Sequence, residues 1–184
     1  MGSPKQLLKW KNKSFIAHAI NVAENSKTEE IIVVLGANSE AITSEIIGTS
    51  ASILINNEWN KGLGKSIACA ANHILNVNKN CTGLLVVLAD QPFVTADYLN
   101  KMIDIYENGK SSIVATIYPS NKIGVPALFD RVYFKQLSQL SGDEGAKTII
   151  KKYRNLVNAL NPNFINVDID TKSDFDQLSK GKFN

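Results

Sequence analysis

The first residues in this chain whose spacing suggests chemistry are carboxylates. Asp90 stands in "LLVVLADQPFVT", directly after an apolar run that reads as a buried strand, and Gln91 and Pro92 stop the strand and start a turn. A carboxylate there can hold a hard divalent cation such as Mg²⁺, which prefers oxygen ligands and phosphate co-ligands. It can equally cap the turn before the next helix. Asp168 and Asp170, in "NVDIDTKSDF", are two apart and would share one face of a strand, so either could complete a cation site near Asp90. In the competing reading, Asp170 or Thr171 caps a helix beginning near Ser173.

Residues able to handle anions lie elsewhere along the chain. In "NNEWNKGLGKSIACAANHI", Gly62 and Gly64 precede a helix whose free N–H groups favour anions or polar ligand edges. The "GKS" resembles the end of a phosphate-binding P-loop, but Trp59 holds the position of that motif's first glycine. A tight loop that lets backbone approach a base or ribose fits better, and a plain flexible helix entry is the alternative. Lys5, after Pro4 in "GSPKQLL", can lie beside a phosphate as a point charge or be simply solvated. In "KIGVPALF" (122–129) and "LSGDEGAK" (140–147), Gly124, Pro126, Gly142 and Gly145 mark rigid turns, and Asp143 is placed to cap the helix after it. His18 and His73 share no metal-ligand spacing, and Cys69 and Cys81 form no CxxC pair, so reduced thiols and no structural zinc are expected.

The elements that must position these residues alternate. "IIVVLG" (31–36), "ASILIN" (51–56), "LLVVLAD" (84–90) and "SIVATIY" (112–118) read as strands, and the first and third are apolar enough to be buried on both faces. "INVDID" (165–170) is a weaker fifth. Helical patterns cover 13–25, 64–76, 95–109, 130–142 and 173–180. Thr95 suits an N-cap, and Gly109 a position just past a helix end. This alternation predicts an α/β fold of three layers, α/β/α, with a mainly parallel sheet in a single domain over 1–184. Ligands of such folds sit outside the carboxyl ends of the strands.

Bulk properties narrow the function classes. The chain has 184 residues, 44% apolar and 20% charged, with a net charge of +3, which is ordinary for a soluble globular protein. Basic patches such as "KWKNK" could meet phosphates, but few aromatics are interleaved with the chain's basic residues, so nucleic acid is not the expected partner. No apolar run approaches the ~18 residues of a membrane span and no signal-peptide pattern is visible, so a cytoplasmic location is expected.

Taken together in order, "MGSPKQLL", "VVLGAN", "GLGKS", "LADQP", "GVP", "GDEGAK" and "DIDTKSD" resemble the molybdenum cofactor cytidylyltransferase family, within the larger group of molybdopterin nucleotidyltransferase-like proteins. The match runs over nearly the whole chain. The resemblance implies a nucleotide-diphospho-sugar transferase-like (Rossmann-like) fold and transfer of CMP from CTP to the terminal phosphate of molybdopterin or a related acceptor. It implies that Lys5 steadies the nucleotide phosphates, that Gly62, Gly64 and Ser66 line the nucleotide pocket with Asp143 beside them, and that Asp90 and Asp170 hold Mg²⁺. Asp168 is a neighbour of less defined role. A molybdenum hydroxylase is a possible recipient of the product. "DQP" and "DID" lean toward the cytidylyl branch over the guanylyl branch. Two departures, Lys147 for the family's usual Arg and Val125 where many relatives carry His, fall in the half that would read the acceptor. Alternatives are the same fold with another nucleotide or acceptor, or a non-catalytic nucleotide-binding module.

The family's phosphate loop is preceded by a strand, and Met1–Gly2 aligns inside that loop. Such a central strand contributes about five buried side chains at roughly 2 kcal/mol each, comparable to the whole net stability of a domain. The expectation is therefore either a natural start upstream, or a break or substitute at the centre of the sheet. A central strand supplied by residues 1–8 would contradict both.

Overall fold

The structure is a computed structural model that describes residues 4–109, 111–119, 121–165, 168–169 and 171–180. Pro4 leads into a 3-10 turn over Lys5–Leu7, followed by a short antiparallel hairpin of β1 (Lys9–Trp10) and β2 (Lys13–Ser14). Helix α1 (Phe15–Glu24) is capped by the Ser14 hydroxyl, which accepts from the Ala17 N–H. Then follow β3 (Ile32–Leu35), α2 (Ser39–Ile46), β4 (Ser52–Ile55), α3 (Leu63–Val77), β5 (Gly83–Val86) and α4 (Ala96–Glu107). The chain continues through β6 (Ile113–Ile117), β7 (Ile123–Asp130), α5 (Phe134–Leu137), α6 (Lys147–Lys152), β8 (Val157–Leu160) and α7 (Lys172–Ser179).

The larger sheet has the order β5-β7-β6-β8, and β3 and β4 form a separate parallel pair. Within the larger sheet β5, β6 and β8 run one way and β7 runs against them. Alternate residues of its central strands feed opposite faces. Ile113, Ala115, Ala127 and Phe129 pack with α3 and α5, whereas Val114 and Leu128 pack with Tyr98, Met102 and Ile103 of α4. This is the expected three-layer arrangement. Each fully buried Ile, Val, Leu, Phe or Met among them contributes about 1.5–3 kcal/mol.

β7 departs from the expected pattern. "KIGVPALF" forms most of an eight-residue strand between β5 and β6, although its Gly and Pro read as turns. Pairing with β5 ends at Ala127, and the register with β6 jumps from Ala115↔Ala127 to Thr116↔Gly124. Pro126 thus sits in a bulge where neither neighbour needs the N–H it lacks. Its carbonyl accepts from the Thr116 hydroxyl at 2.8 Å.

Three further expectations are corrected. Residues 130–142 form no single helix, because Asp130 caps a 3-10 turn over Arg131–Tyr133 and α5 then lasts only four residues. "INVDID" is not a strand over its described residues, and the last strand of the larger sheet is β8, paired in parallel with β6. Finally, β5 is half-buried at all four positions and β3 at alternate ones, where burial on both faces was expected. The cause lies in the pairing. Among the described residues β3 bonds only β4 and β5 only β7, so each keeps an unpaired edge at the break between the two sheets. Residues 4–8 join neither sheet.

His18 on α1 ties this helix to the loop after β5 by donating from Nε2 to the Pro92 carbonyl at 2.9 Å. Burial pushes its pKa below the usual 6.5; the Pro92 bond opposes this, and Lys11 and Lys13 add to it. Below its ordinary pKa the unfolded chain therefore binds more protons than the folded one, and stability falls as pH drops. The melting temperature should decline from pH 7.5 to pH 5.5, at about one unit either side of the reference value. His18→Gln, which keeps a donor but cannot titrate in this range, should flatten that part of the decline. An identical pH profile for the variant would refute the assignment.

Candidate active site

Polar residues gather where the strands end. Asn56 follows β4, Asp90 lies beyond β5, Tyr118 follows β6, and Gly124 and Val125 open the reversed β7 at that same end. Two surface clefts, of about 420 and 410 Å³, lie at the opposite end beside Ile31 and Thr82, and contain none of these residues.

Lys5 and Asp90 meet across the chain, with Nζ 2.6 Å from Oδ2 and side-chain exposures of 27% and 21%. The 3-10 turn after Pro4 brings the lysine there. Asp90 caps no helix. Its second oxygen, Oδ1, is buried without a hydrogen-bond partner. A buried acceptor left unpaired costs about 1–3 kcal/mol, and a divalent cation is a partner that would satisfy a carboxylate oxygen. The backbone N–H of Ile169 donates to the Asp90 carbonyl at 3.0 Å, so the segment bearing Asp168 lies directly beside this turn. Asp170 lies outside the described residues. Among those described, no three His, Cys, Asp or Glu gather into a metal cage.

Gln91, which the sequence marks only as the end of a strand, is just 5% exposed. Its Nε2 donates to Asp168 Oδ1 at 2.8 Å and lies 2.7 Å from the Tyr118 hydroxyl and 3.3 Å from the Val125 carbonyl. Tyr118 donates to that same carbonyl at 2.6 Å. The Val125 carbonyl that both side chains address directly precedes Pro126 in the bulge. Lys147, the first residue of α6, runs alongside, with Cε 3.8 Å from the point where a Gly124 Cβ would stand. A polar residue directly after a strand-ending Asp was the available signal for Gln91.

The two glycine loops also meet, which their separation in sequence concealed. Gly64 N–H donates to the Gly142 carbonyl and Gly142 N–H to the Lys61 carbonyl, both at 2.8 Å. A Cβ on Gly62 would stand 2.5 Å from the Gly142 carbonyl carbon and from Asp143 Oδ1; one on Gly64 would stand 2.8 Å from Ser141 backbone. The glycines therefore have a packing reason as well as any ligand reason. Asp143 does not cap α6, whose N-cap is Ala146 with no side-chain bond; it lies beside Gly62 instead. Ser66 accepts from Asn56 Nδ2 at 3.2 Å, and Asn56 Oδ1 accepts the Glu58 N–H at 3.0 Å. Glu58 bonds both Lys61 and Lys65, which pull its pKa down to about 2. The loop before α3 is thus held by Asn56 and Glu58.

The MobA-like NTP transferase domain matches residues 1–157. The chain belongs to this family. The protein is accordingly a nucleotidyltransferase. The chain is 26% identical over 156 residues to nicotine blue oxidoreductase of Paenarthrobacter nicotinovorans, covering 81% of this chain and 74% of that one. Rv0371c of Mycobacterium tuberculosis superposes with a TM-score of 0.80 at 26% identity, covering 98% of this chain and 91% of that one. A second structure of Rv0371c is a complex with manganese, with a TM-score of 0.78 at 25% identity over 97% and 93% of the two chains. A nucleotidyl transferase from Methanothermobacter, 16% identical with a TM-score of 0.78 over 96% and 84%, shares the fold. The resemblance to the molybdenum cofactor cytidylyltransferase family and the expected fold class both stand on these relations. No helix of the described residues is long and apolar enough to cross a membrane.

Proposed function

We propose that this MobA-like transferase moves CMP from CTP to the terminal phosphate of a molybdopterin-like acceptor, with Asp90 and Asp170 holding Mg²⁺. The observation that carries the reading is the Asp90 carboxylate, with Lys5 on one oxygen and the other buried and unpartnered. The manganese in Rv0371c supports a divalent cation in this family. Bound there, such a cation would offset negative charge on the phosphates.

The acceptor phosphate is already an anionic nucleophile, so no general base is needed. One of its oxygens bonds to the α-phosphorus, the bond from that phosphorus to the bridging oxygen breaks, and pyrophosphate leaves with the electron pair. The residues' contribution is alignment and charge. Lys5, tethered to Asp90, is placed to offset charge on the triphosphate. The loop of Gly62 and Gly64 would border the nucleoside, with the Ser66 hydroxyl positioned by Asn56 and Asp143 beside the loop. Lys147, Gly124 and Val125 form the wall that would face the acceptor. The reaction is assigned to the cytoplasm, with a molybdenum hydroxylase as a recipient of the product.

Isothermal titration of CTP and of GTP with Mg²⁺ into the protein tests the nucleotide. The expected result is CTP binding at least about tenfold tighter than GTP, a difference of about 1.4 kcal/mol. Equal or reversed preference would remove the cytidylyl assignment and leave the transferase class in place.

A further inference from the structure

Among the described residues, Gln91 carries one of two buried polar side-chain atoms that lack a hydrogen-bond partner, and the other belongs to the adjacent Asp90. We propose that Gln91 is a positioning residue for the divalent cation: its amide N–H holds Asp168 beside Asp90, and its carbonyl oxygen accepts a hydrogen bond from a cation-bound water. The inference rests on the cation reading above.

Three observations carry it. The amide orientation is fixed, because Nε2 faces two acceptors that cannot donate, the Asp168 carboxylate at 2.8 Å and the Val125 carbonyl at 3.3 Å. Oε1 is thereby committed as an acceptor, and it is buried with nothing to accept from. A native fold retains so few atoms of this kind that each calls for a ligand, an ion or a water. The Ile169 N–H bond to the Asp90 carbonyl sets Asp168 next to the Asp90 turn, so both carboxylates and the orphan amide oxygen come from two adjoining backbone segments. A small divalent ion such as Mg²⁺ binds few carboxylates directly and keeps several waters, whose O–H groups need acceptors just beyond the first coordination sphere. Asp90 Oδ1 supplies a direct ligand, and Gln91 Oε1 supplies such an outer acceptor.

The test is Mn²⁺ binding, read as loss of the free-ion electron paramagnetic resonance signal, on the full chain and on its variants, with a melting curve for each. Gln91→Met removes both donor and acceptor at nearly constant volume and should weaken Mn²⁺ binding about 10- to 100-fold, as outer-shell changes do. Asp168→Asn keeps an oxygen that Gln91 can bond and spares the fold, so it guards against an unfolded Gln91→Met. It should weaken Mn²⁺ binding at least about tenfold. A Gln91 that matters only for packing would give a lower melting temperature with unchanged Mn²⁺ affinity, and that result overturns the proposal. Unchanged affinity in Asp168→Asn overturns it too. If the parent chain binds no Mn²⁺ at all, the cation reading itself fails, which is a distinguishable outcome.

Discussion

Asp90→Asn is expected to lower pyrophosphate release from CTP by about 100-fold or more, since cation-assisted charge offset is worth several kcal/mol and each 1.36 kcal/mol is tenfold in rate. The substitution is nearly isosteric, so its effect is on charge. It removes the anionic partner of Lys5, 2.6 Å away, and converts the buried orphan Oδ1 into an amide atom with little affinity for a hard cation. The fold should persist, because the Asp90 backbone carbonyl still accepts from Ile169 and the ion pair is partly exposed. The check is a pyrophosphate-release assay beside a thermal melt, on a form of the protein shown to turn over. A variant that melts like the parent and also turns over like it would show that Asp90 is not part of the machinery.

Gly62→Ala has the largest expected effect on stability. Gly62 has φ 93°, in the region L side chains avoid, and its added Cβ would be 2.5 Å from the Gly142 carbonyl carbon and 2.6 Å from its oxygen. Backbone cannot step aside as a flexible side chain can. With ψ at 173°, this conformation is essentially confined to glycine; strain there costs about 1–3 kcal/mol and overpacking about 1–3 kcal/mol more. Together, at about 2–4 °C per kcal/mol for a chain of this size, the melting temperature should fall by roughly 10 °C. Gly109→Ala is the control: φ there is 66° and nothing lies within 4 Å of the added atom, so it should show the strain alone. Equal shifts for the two variants would mean that the contact between the loops carries no weight.

The legible part of this molecule was its periodic part. Val- and Ile-rich runs marked β3, β4, β5 and β6, and Thr95 caps the helix that follows it. β7 was hidden because Gly124 and Pro126 carry turn signals, and only the bulge opposite Thr116 makes a proline tolerable there. Asp90 and Lys5 could be named from their types and neighbours, but their pairing spans 85 positions and no local pattern encodes it. Gln91 was missed for a related reason: its partners, Tyr118, Val125 and Asp168, converge on it only after β6, β7 and the segment beyond β8 are in place. Tertiary convergence of this kind leaves no periodic trace.

The reciprocal hydrogen bonds between Lys61–Gly64 and Gly142 also bear on how such proteins can be recombined. Each loop is moulded to the bare backbone of the other, so neither is an independent cassette. Grafting the "GLGKS" stretch from a relative with altered specificity would bring in a surface shaped for a different "GDEGAK" partner. Chimeras that exchange both stretches at once should tolerate the swap better than either single exchange, whatever distance separates the two in the gene.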